Sequence, residues 1–315
     1  MVINDEYTLF INSLSDSEAF LGLNKDRSAT PYTIIGVPLD ISTSYRSGSA
    51  LAPKAVRRAS KSLELCSAIN SIDVTSIGAN DLGDISIIPG NLIETLSRIE
   101  YVMNSIFKEM NRRNILLGGE HTLTLATFRA YTKNYVKPCL IVLDAHTDLR
   151  DDYLGSKYNH ATVVRRIHDE TKSMIVIIGA RAVSREEEEF YRSIDGEKNM
   201  EIFRIIGDAV DSKLMNDIEG AVSACKAKYI SIDIDVLDPS YAPGVQTPEP
   251  LGMSPHTLLN ILYRIIGTNT YAVDIVEMTP VYDPSEITAF VVAKIIVELI
   301  AMMSEVIGLK VMRCW

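Results

Sequence analysis

The sequence predicts an α/β chain: a single three-layer α/β/α domain around a mainly parallel sheet of about eight strands. Three observations predict it. Short β-rich runs alternate with segments of helical periodicity along the chain, the order that builds parallel sheets through crossover helices. Several of these runs are continuously apolar, as strands covered on both faces must be. No repeat, low-complexity tract or Pro/Gly/Ser-rich linker divides the 315 residues, and 47% of them are hydrophobic, enough for one large core.

The predicted strands are 32–37, 74–79, 114–117, 140–143, 174–179, 201–205, 229–234 and 271–276. Residues 1–30 form an N-terminal extension that packs on the domain. A helix over 53–67 opens with Pro53, which suits a first turn. The segment 92–112 carries Leu92, Leu96, Ile99, Val102, Met103 and Ile106 near the helical period. Ser184 and Glu187 have the spacing of a capping box. Ser254-Pro255 starts a further helix, and Asp283-Pro284-Ser285-Glu286 starts the last, whose apolar stripe runs through Ile300.

Composition narrows the function. A net charge of -10 opposes binding to nucleic acid, which needs clustered Lys and Arg, and is compatible with a small cationic partner. The four cysteines, Cys66, Cys139, Cys225 and Cys314, form no CxxC pair and read as reduced intracellular thiols. Residues 1–6 lack a signal-peptide pattern. The apolar segment 290–303 is interrupted by Lys294 and Glu298 and is short for a membrane span. The expected setting is cytoplasmic, away from membranes.

Chemistry concentrates at predicted strand ends. Asp144, His146 and Asp148 follow the apolar run Cys139-Leu140-Ile141-Val142 at alternate positions, so they project together. Asp233 and Asp235 repeat the design after Tyr229-Ile230-Ser231-Ile232. Burying such groups is costly without a cation or a network. Gly118-Gly119-Glu120 delivers His121 at a third strand end, and Glu277 ends a fourth. In open α/β sheets, ligands bind outside these carboxyl ends.

With these pieces together, the chain resembles the ureohydrolase family of arginase, agmatinase and relatives, from Gly36 to Glu298. The family's GG-acid-His turn reads Gly118-Gly119-Glu120-His121. Its DAHxD strand end reads Asp144-Ala145-His146-Thr147-Asp148, and its SxDxDxxDP strand end runs from Ser231 to Pro239. The resemblance implies an arginase-like fold and two Mn(II) ions per chain. His121, Asp144, His146, Asp148, Asp233 and Asp235 would ligate them, with Asp144 and Asp233 bridging. Carboxylates and imidazoles in this mixture suit paired divalent ions, whose charge lets the carboxylates stay ionised together.

The resemblance also implies hydrolysis by a metal-bridging hydroxide, which Asp148 would orient. His160 lies where the family keeps a proton-shuttling histidine. Glu277 is the family's guanidinium holder, and a carboxylate gives that group planar, bidentate recognition. Thr247 falls in the substrate loop, where Gln246 replaces a family glycine. Homo-oligomers, trimeric or hexameric, are implied too. His168 is expected to be solvated and His256 structural.

Segments 36–48 and 148–158 look like agmatinase sequences, and the Asn and Ser with which arginases bind an α-carboxylate are not seen. Agmatine hydrolysis to putrescine and urea is therefore expected, with Asp151 or Asp152 meeting the distal ammonium. Arg150 carries the opposite sign and would attract a carboxylate, as of 4-guanidinobutyrate. Arginine is a third substrate choice. A one-zinc deacetylase relative needs neither His121 nor Asp235. A catalytically silent, metal-stabilised scaffold is the reading from another class.

Overall fold

The computed structural model describes residues 6–194 and 199–314. Residues 1–5, part of the stretch without a signal-peptide pattern, lie outside the described residues. Among the described residues, nine strands form one sheet: β1 (Ile11–Asn12), β2 (Tyr32–Val37), β3 (Asn80–Ile85), β4 (Arg113–Gly118), β5 (Pro138–Leu143), β6 (Met174–Ala180), β7 (Met200–Arg204), β8 (Ala227–Asp233) and β9 (Thr270–Val276). Their order is β1-β3-β2-β4-β9-β8-β5-β6-β7. Every pairing is parallel except that of β1 with β3.

The helices are α1 (Ala52–Ser60), α2 (Leu92–Phe107), α3 (Leu123–Asn134), α4 (Val163–Thr171), α5 (Arg185–Ser193), α6 (Ser212–Ser223), α7 (Pro255–Ile265) and α8 (Ile287–Val306). Alternation along the strands sorts them into two layers. Ile115, Leu117, Ile141, Leu143, Ile230, Ile232, Val273 and Ile275 pack towards α1, α6, α7 and α8. Leu116, Leu140, Val142, Tyr229, Ala272 and Val276 pack towards α2, α3 and α4. A parallel sheet covered on both faces results, an α/β/α fold as the alternating pattern predicts.

Local signals start several helices. Ser184 accepts from the Glu187 amide while Glu187 caps the Ser184 amide, closing the box before α5. Ser254 caps α7 ahead of Pro255. Asp283 Oδ2 accepts the Thr288 amide in the first turn of α8. Helix α8 is long and apolar enough to cross a membrane by composition, with a mean hydropathy of 2.1, but 78% of that window is buried inside the fold. It is the domain's central packing helix. Its Glu298 is fully buried and takes the Ser67 hydroxyl, the Ala68 amide and the Lys294 ammonium.

Three readings of the sequence are corrected. The run 74–79 is a 3-10 turn over Val74–Ser76 with an isolated bridge from Ala79 to Asn24, and the strand begins at Asn80. Asp73 caps that turn and Gly78 takes a positive φ of 62°. The true strand hides behind Asp81 and Asp84, whose charges meet Arg57. The cysteines pair as Cys66–Cys314 and Cys139–Cys225. Parallel pairing sets Pro138 of β5 opposite Ala227 of β8, so two cysteines 86 residues apart become neighbours. His168 is buried rather than solvated, because it shares the inner stripe of α4 with Val164 and Ile167 and meets the Phe190 ring.

Candidate active site

Four adjacent central strands, β4, β9, β8 and β5, end at the same edge of the sheet. The turn after β4 depends on glycine. A Cβ at Gly119 would lie 2.0 Å from the Leu39 carbonyl oxygen, so no other residue fits. The Glu277 amide donates to the Gly119 carbonyl at 2.9 Å, and the His121 amide donates to Glu277 Oε1 at 2.5 Å. Buried Glu120 binds the neighbouring loop through the Ile41 and Ser42 amides at 3.0 and 2.8 Å and the Ser42 hydroxyl at 2.8 Å.

The strand ends bring six candidate donors together. His121 Nδ1 faces Asp148 Oδ2 at 3.0 Å, Asp144 Oδ2 at 3.3 Å and Asp233 Oδ2 at 3.4 Å. His146 Nδ1 faces Asp235 Oδ2 at 3.0 Å and Asp144 Oδ1 at 3.5 Å. Two groups with metal-holding geometry result, one of His121, Asp144 and Asp148, the other of Asp144, His146 and Asp235. Asp144 belongs to both. His121 Nδ1, Asp144 Oδ2 and Glu277 Oε2 are buried without a directed hydrogen bond. Orphaned buried atoms of this kind, on oxygen and imidazole donors, fit divalent cations.

Electrostatics point the same way. Burial, Asp235 and Asp144 push Asp233 well above the carboxylate range. Burial and the neighbouring Asp144 charge raise Asp148 to about 7. Burial opposes ionisation of Asp144 too, yet contacts from His121 and His146 hold it below its ordinary value. Burial disfavours both imidazolium ions, but the surrounding acids raise His121 and His146 well above 6.5. With no cation among them, these groups must share protons to limit their repulsion. Bound divalent ions would take that place.

The backbone is shaped for the same purpose. Asp148 and Glu277 adopt φ of 52° and 68°, in the left-handed region. Such a conformation costs a non-glycine residue about 1–3 kcal/mol and clusters at functional sites. Glu187, the capping residue of α5, holds the Asp148 loop, because its Oε1 accepts the Thr147 hydroxyl at 2.8 Å and the Leu149 amide at 3.0 Å. Arg181 fixes the loop after β8, donating to the carbonyls of Asp235 and Glu249 at 2.7 Å and of Val236 and Pro250 at 3.1 Å.

Other predicted site residues lie around this cluster. His160 is 8% exposed, and its Nε2 is 2.8 Å from the Ser44 hydroxyl. Burial, then the charges of His146 and His121, lower it to about 4, so it is neutral near pH 7. The Thr247 hydroxyl donates to Asp235 Oδ2 at 3.3 Å. Gln246, at the position of the family glycine, is fully buried and donates its side-chain amide to Ser49 Oγ at 3.0 Å. The Arg150 guanidinium lies 5.1 Å above the Tyr153 ring, which meets His160 edge-on at 6.2 Å. The loop acids are engaged elsewhere: Asp151 with Arg166 at 2.5 Å and Asp152 with the Gly155 amide at 2.9 Å. His256 is exposed at the start of α7, beside Asn260.

Sequence reasoning passed over Ser44, Asp274 and Arg181. Ser44 lies in the agmatinase-like run, but only the fold shows that it meets His160, 116 residues away. Asp274 had a visible signal, being a lone carboxylate inside the apolar strand Ala272-Val273-Asp274-Ile275-Val276. Arg181 follows an apolar strand as the acids do, but its partners are carbonyls, which leave no trace in sequence.

Comparison with known proteins agrees with this geometry. The pattern of the arginase family matches residues 30–302. Agmatinase of Bacillus subtilis is 33% identical over 270 residues, covering 85% of this chain and 90% of that protein. A mitochondrial guanidino acid hydrolase of Homo sapiens is 34% identical over 281 residues, covering 86% and 78%. Among solved structures, agmatine ureohydrolase of Thermoplasma volcanium superposes with a TM-score of 0.78 at 32% identity, covering 90% of this chain and 93% of that one.

Proposed function

The chain belongs to the arginase family, and from that premise we propose that it is a Mn(II)-dependent amidinohydrolase converting agmatine and water to putrescine and urea. The observation that carries the reading is one carboxylate, Asp144, shared by two donor groups beside the unpartnered Glu277 Oε2. His121, Asp144, His146, Asp148, Asp233 and Asp235 would hold two ions. When bound, divalent ions acidify water and polarise the group under attack.

The chain's own residues account for the rest. Glu277 Oε2, buried without a hydrogen-bond partner, would accept the guanidinium N–H groups and fix the plane of the substrate. Asp148, on a backbone locked by Glu187, orients the attacking water. His160, neutral at rest, would take up the proton released by the attacking water and pass it to the departing amine, with Ser44 fixing its ring. Burial of Glu277, Asp148 and His160 limits access of bulk water and strengthens their contacts.

One observation favours a second substrate. With Asp151 and Asp152 committed elsewhere, the charged group next to Tyr153 and His160 is Arg150, only loosely paired with Glu186 at 3.8 Å. A guanidino acid such as 4-guanidinobutyrate would meet that cation with its carboxylate. The deciding experiment compares kcat/KM for agmatine, arginine and 4-guanidinobutyrate in wild type and in Arg150→Ala. Agmatine leading in both upholds the first reading. A lead for 4-guanidinobutyrate that collapses in Arg150→Ala replaces it. Absence of urea from every guanidine would leave the scaffold reading.

A further inference from the structure

We propose that Asp274 of β9, acting through Ser231 of β8, is a positioning residue that fixes the ring direction and tautomer of His121. Asp274 is fully buried between β4 and β8, at the level where α3 crosses the sheet. Its Oδ1 accepts the Ser231 hydroxyl at 2.5 Å. Its Oδ2 accepts Tyr229 at 2.6 Å and Thr124 at 2.8 Å. Three hydroxyl protons thus converge on one carboxylate.

Proton counting gives the consequence. A serine hydroxyl has one proton, and that of Ser231 is committed to Asp274. Towards His121 Nε2, 3.0 Å away, Ser231 can then only accept. Nε2 must carry hydrogen, and in the neutral ring Nδ1 keeps its lone pair. Nδ1 is the atom that faces Asp144, Asp148 and Asp233. A hydrogen-bond partner on the far nitrogen of a ligating imidazole is how metal sites fix such a ring. Here the partner is a hydroxyl, and a buried carboxylate one bond further on dictates which way that hydroxyl points. The two groups come from neighbouring strands in register, Ser231 opposite Asp274, so the sheet itself sets their distance.

The inference rests on the two-metal reading, and its test separates the two. Mn(II) binding is titrated by calorimetry and bound ions are counted in wild type, Asp274→Asn, Ser231→Ala, Ser231→Thr and Tyr229→Phe. In Asp274→Asn one acceptor oxygen remains, which suits the side where Tyr229 and Thr124 both donate, and the NH2 then faces Ser231. Ser231 is then free to turn its proton to Nε2, and the neutral ring must carry hydrogen at Nδ1. Affinity for one of the two ions should fall by about 10–100-fold, the usual effect of removing such support. Ser231→Ala should do the same, and Ser231→Thr, which keeps the hydroxyl, should restore binding. Tyr229→Phe takes a hydroxyl from Asp274 without touching the path to His121. It should lower the melting temperature and leave both affinities unchanged.

Nitrogen NMR of the cadmium-loaded, histidine-labelled protein reads the tautomer directly, with hydrogen expected on Nε2 of His121 in wild type. Folded Asp274→Asn and Ser231→Ala with wild-type affinities would overturn the proposal. Equal loss in Tyr229→Phe would also overturn it, by making the role merely structural. If Asp274→Asn does not fold, the Ser231 pair decides, since equal affinities in the Ala and Thr variants refute the relay. Wild-type protein that takes up no Mn(II) would instead defeat the metal reading on which the relay stands.

Discussion

Two buried charge clusters in this molecule are built on opposite principles. Near α1, Arg57 donates to Asp81 at 2.8 and 2.9 Å, to Asp84 at 2.6 Å and to the Gly83 carbonyl at 3.2 Å. That cluster is closed, because each buried charge meets its counter-charge within the chain. At the ends of β4, β5 and β8 the cluster is open. Four aspartates outnumber two imidazoles, and some donor atoms lack a directed partner. Burial of charge is therefore not itself a mark of function. The mark is buried charge that the chain leaves uncompensated.

The sharpest way to break the comparison is to lighten the open cluster. In the metal-free protein Asp233 is held well above its ordinary range by burial and by Asp235 and Asp144. A raised carboxylate pKa means that ionised Asp233 opposes folding at neutral pH. Asp233→Asn should therefore raise the melting temperature of the metal-free protein. Urea release should nonetheless fall by about 10⁴-fold, or some 5 kcal/mol of lost transition-state stabilisation. Parallel melting and urea assays check this, and a fall in both quantities would make the cluster structural.

The closed cluster should answer in the opposite way. Arg57→Met strands two acids and should cost about 3–5 kcal/mol of stability, read from denaturant midpoints. The metal count of the folded fraction should not change. Loss of metal along with stability would erase the distinction.

His160 lies between the two cases, buried and kept neutral. Its folded value of about 4 is below the ordinary 6.5, so the unfolded chain binds its proton first. Stability from this group is complete above pH 6.5 and is lost as pH falls through about 4. The loss amounts to about 3 kcal/mol. Urea denaturation of wild type and His160→Gln between these values checks it, and the variant should show the shallower slope.

The smallest effect is expected at Glu277, which burial pushes well above its usual range. Glu277→Gln keeps the shape and the contact to the His121 amide. It should lower kcat/KM for the accepted guanidine by about 1.5–3 kcal/mol, the worth of a charge-assisted hydrogen bond. Metal content should be unaffected.

The same contrast explains what was legible in the sequence. Continuous apolar runs gave β2, β5 and β8, since strands covered on both faces leave an unbroken signal. Alternate acids at strand ends pointed to the open cluster because nothing nearby in sequence compensates them. The closed cluster instead obscures β3, because Asp81 and Asp84 break its apolar pattern and their partner Arg57 lies away in α1. Asp151 and Arg150 illustrate a second limit. A loop shows its charges in sequence but not their partners, and Arg166 takes Asp151 from the far side. The cysteine pairs and the meeting of Ser44 with His160 depend on strand register and loop contacts, which spacing along the chain does not reveal.

The order of strands in the sheet also decides which part of the chain completes the site. The donor group of Asp144, His146 and Asp235 joins β5 to β8, which are direct neighbours. His121 reaches Asp233 only when β9 (Thr270–Val276) has been inserted between β4 and β8. A chain ended before residue 270 would therefore hold all six donor residues but lack the strand that sets His121 against Asp233.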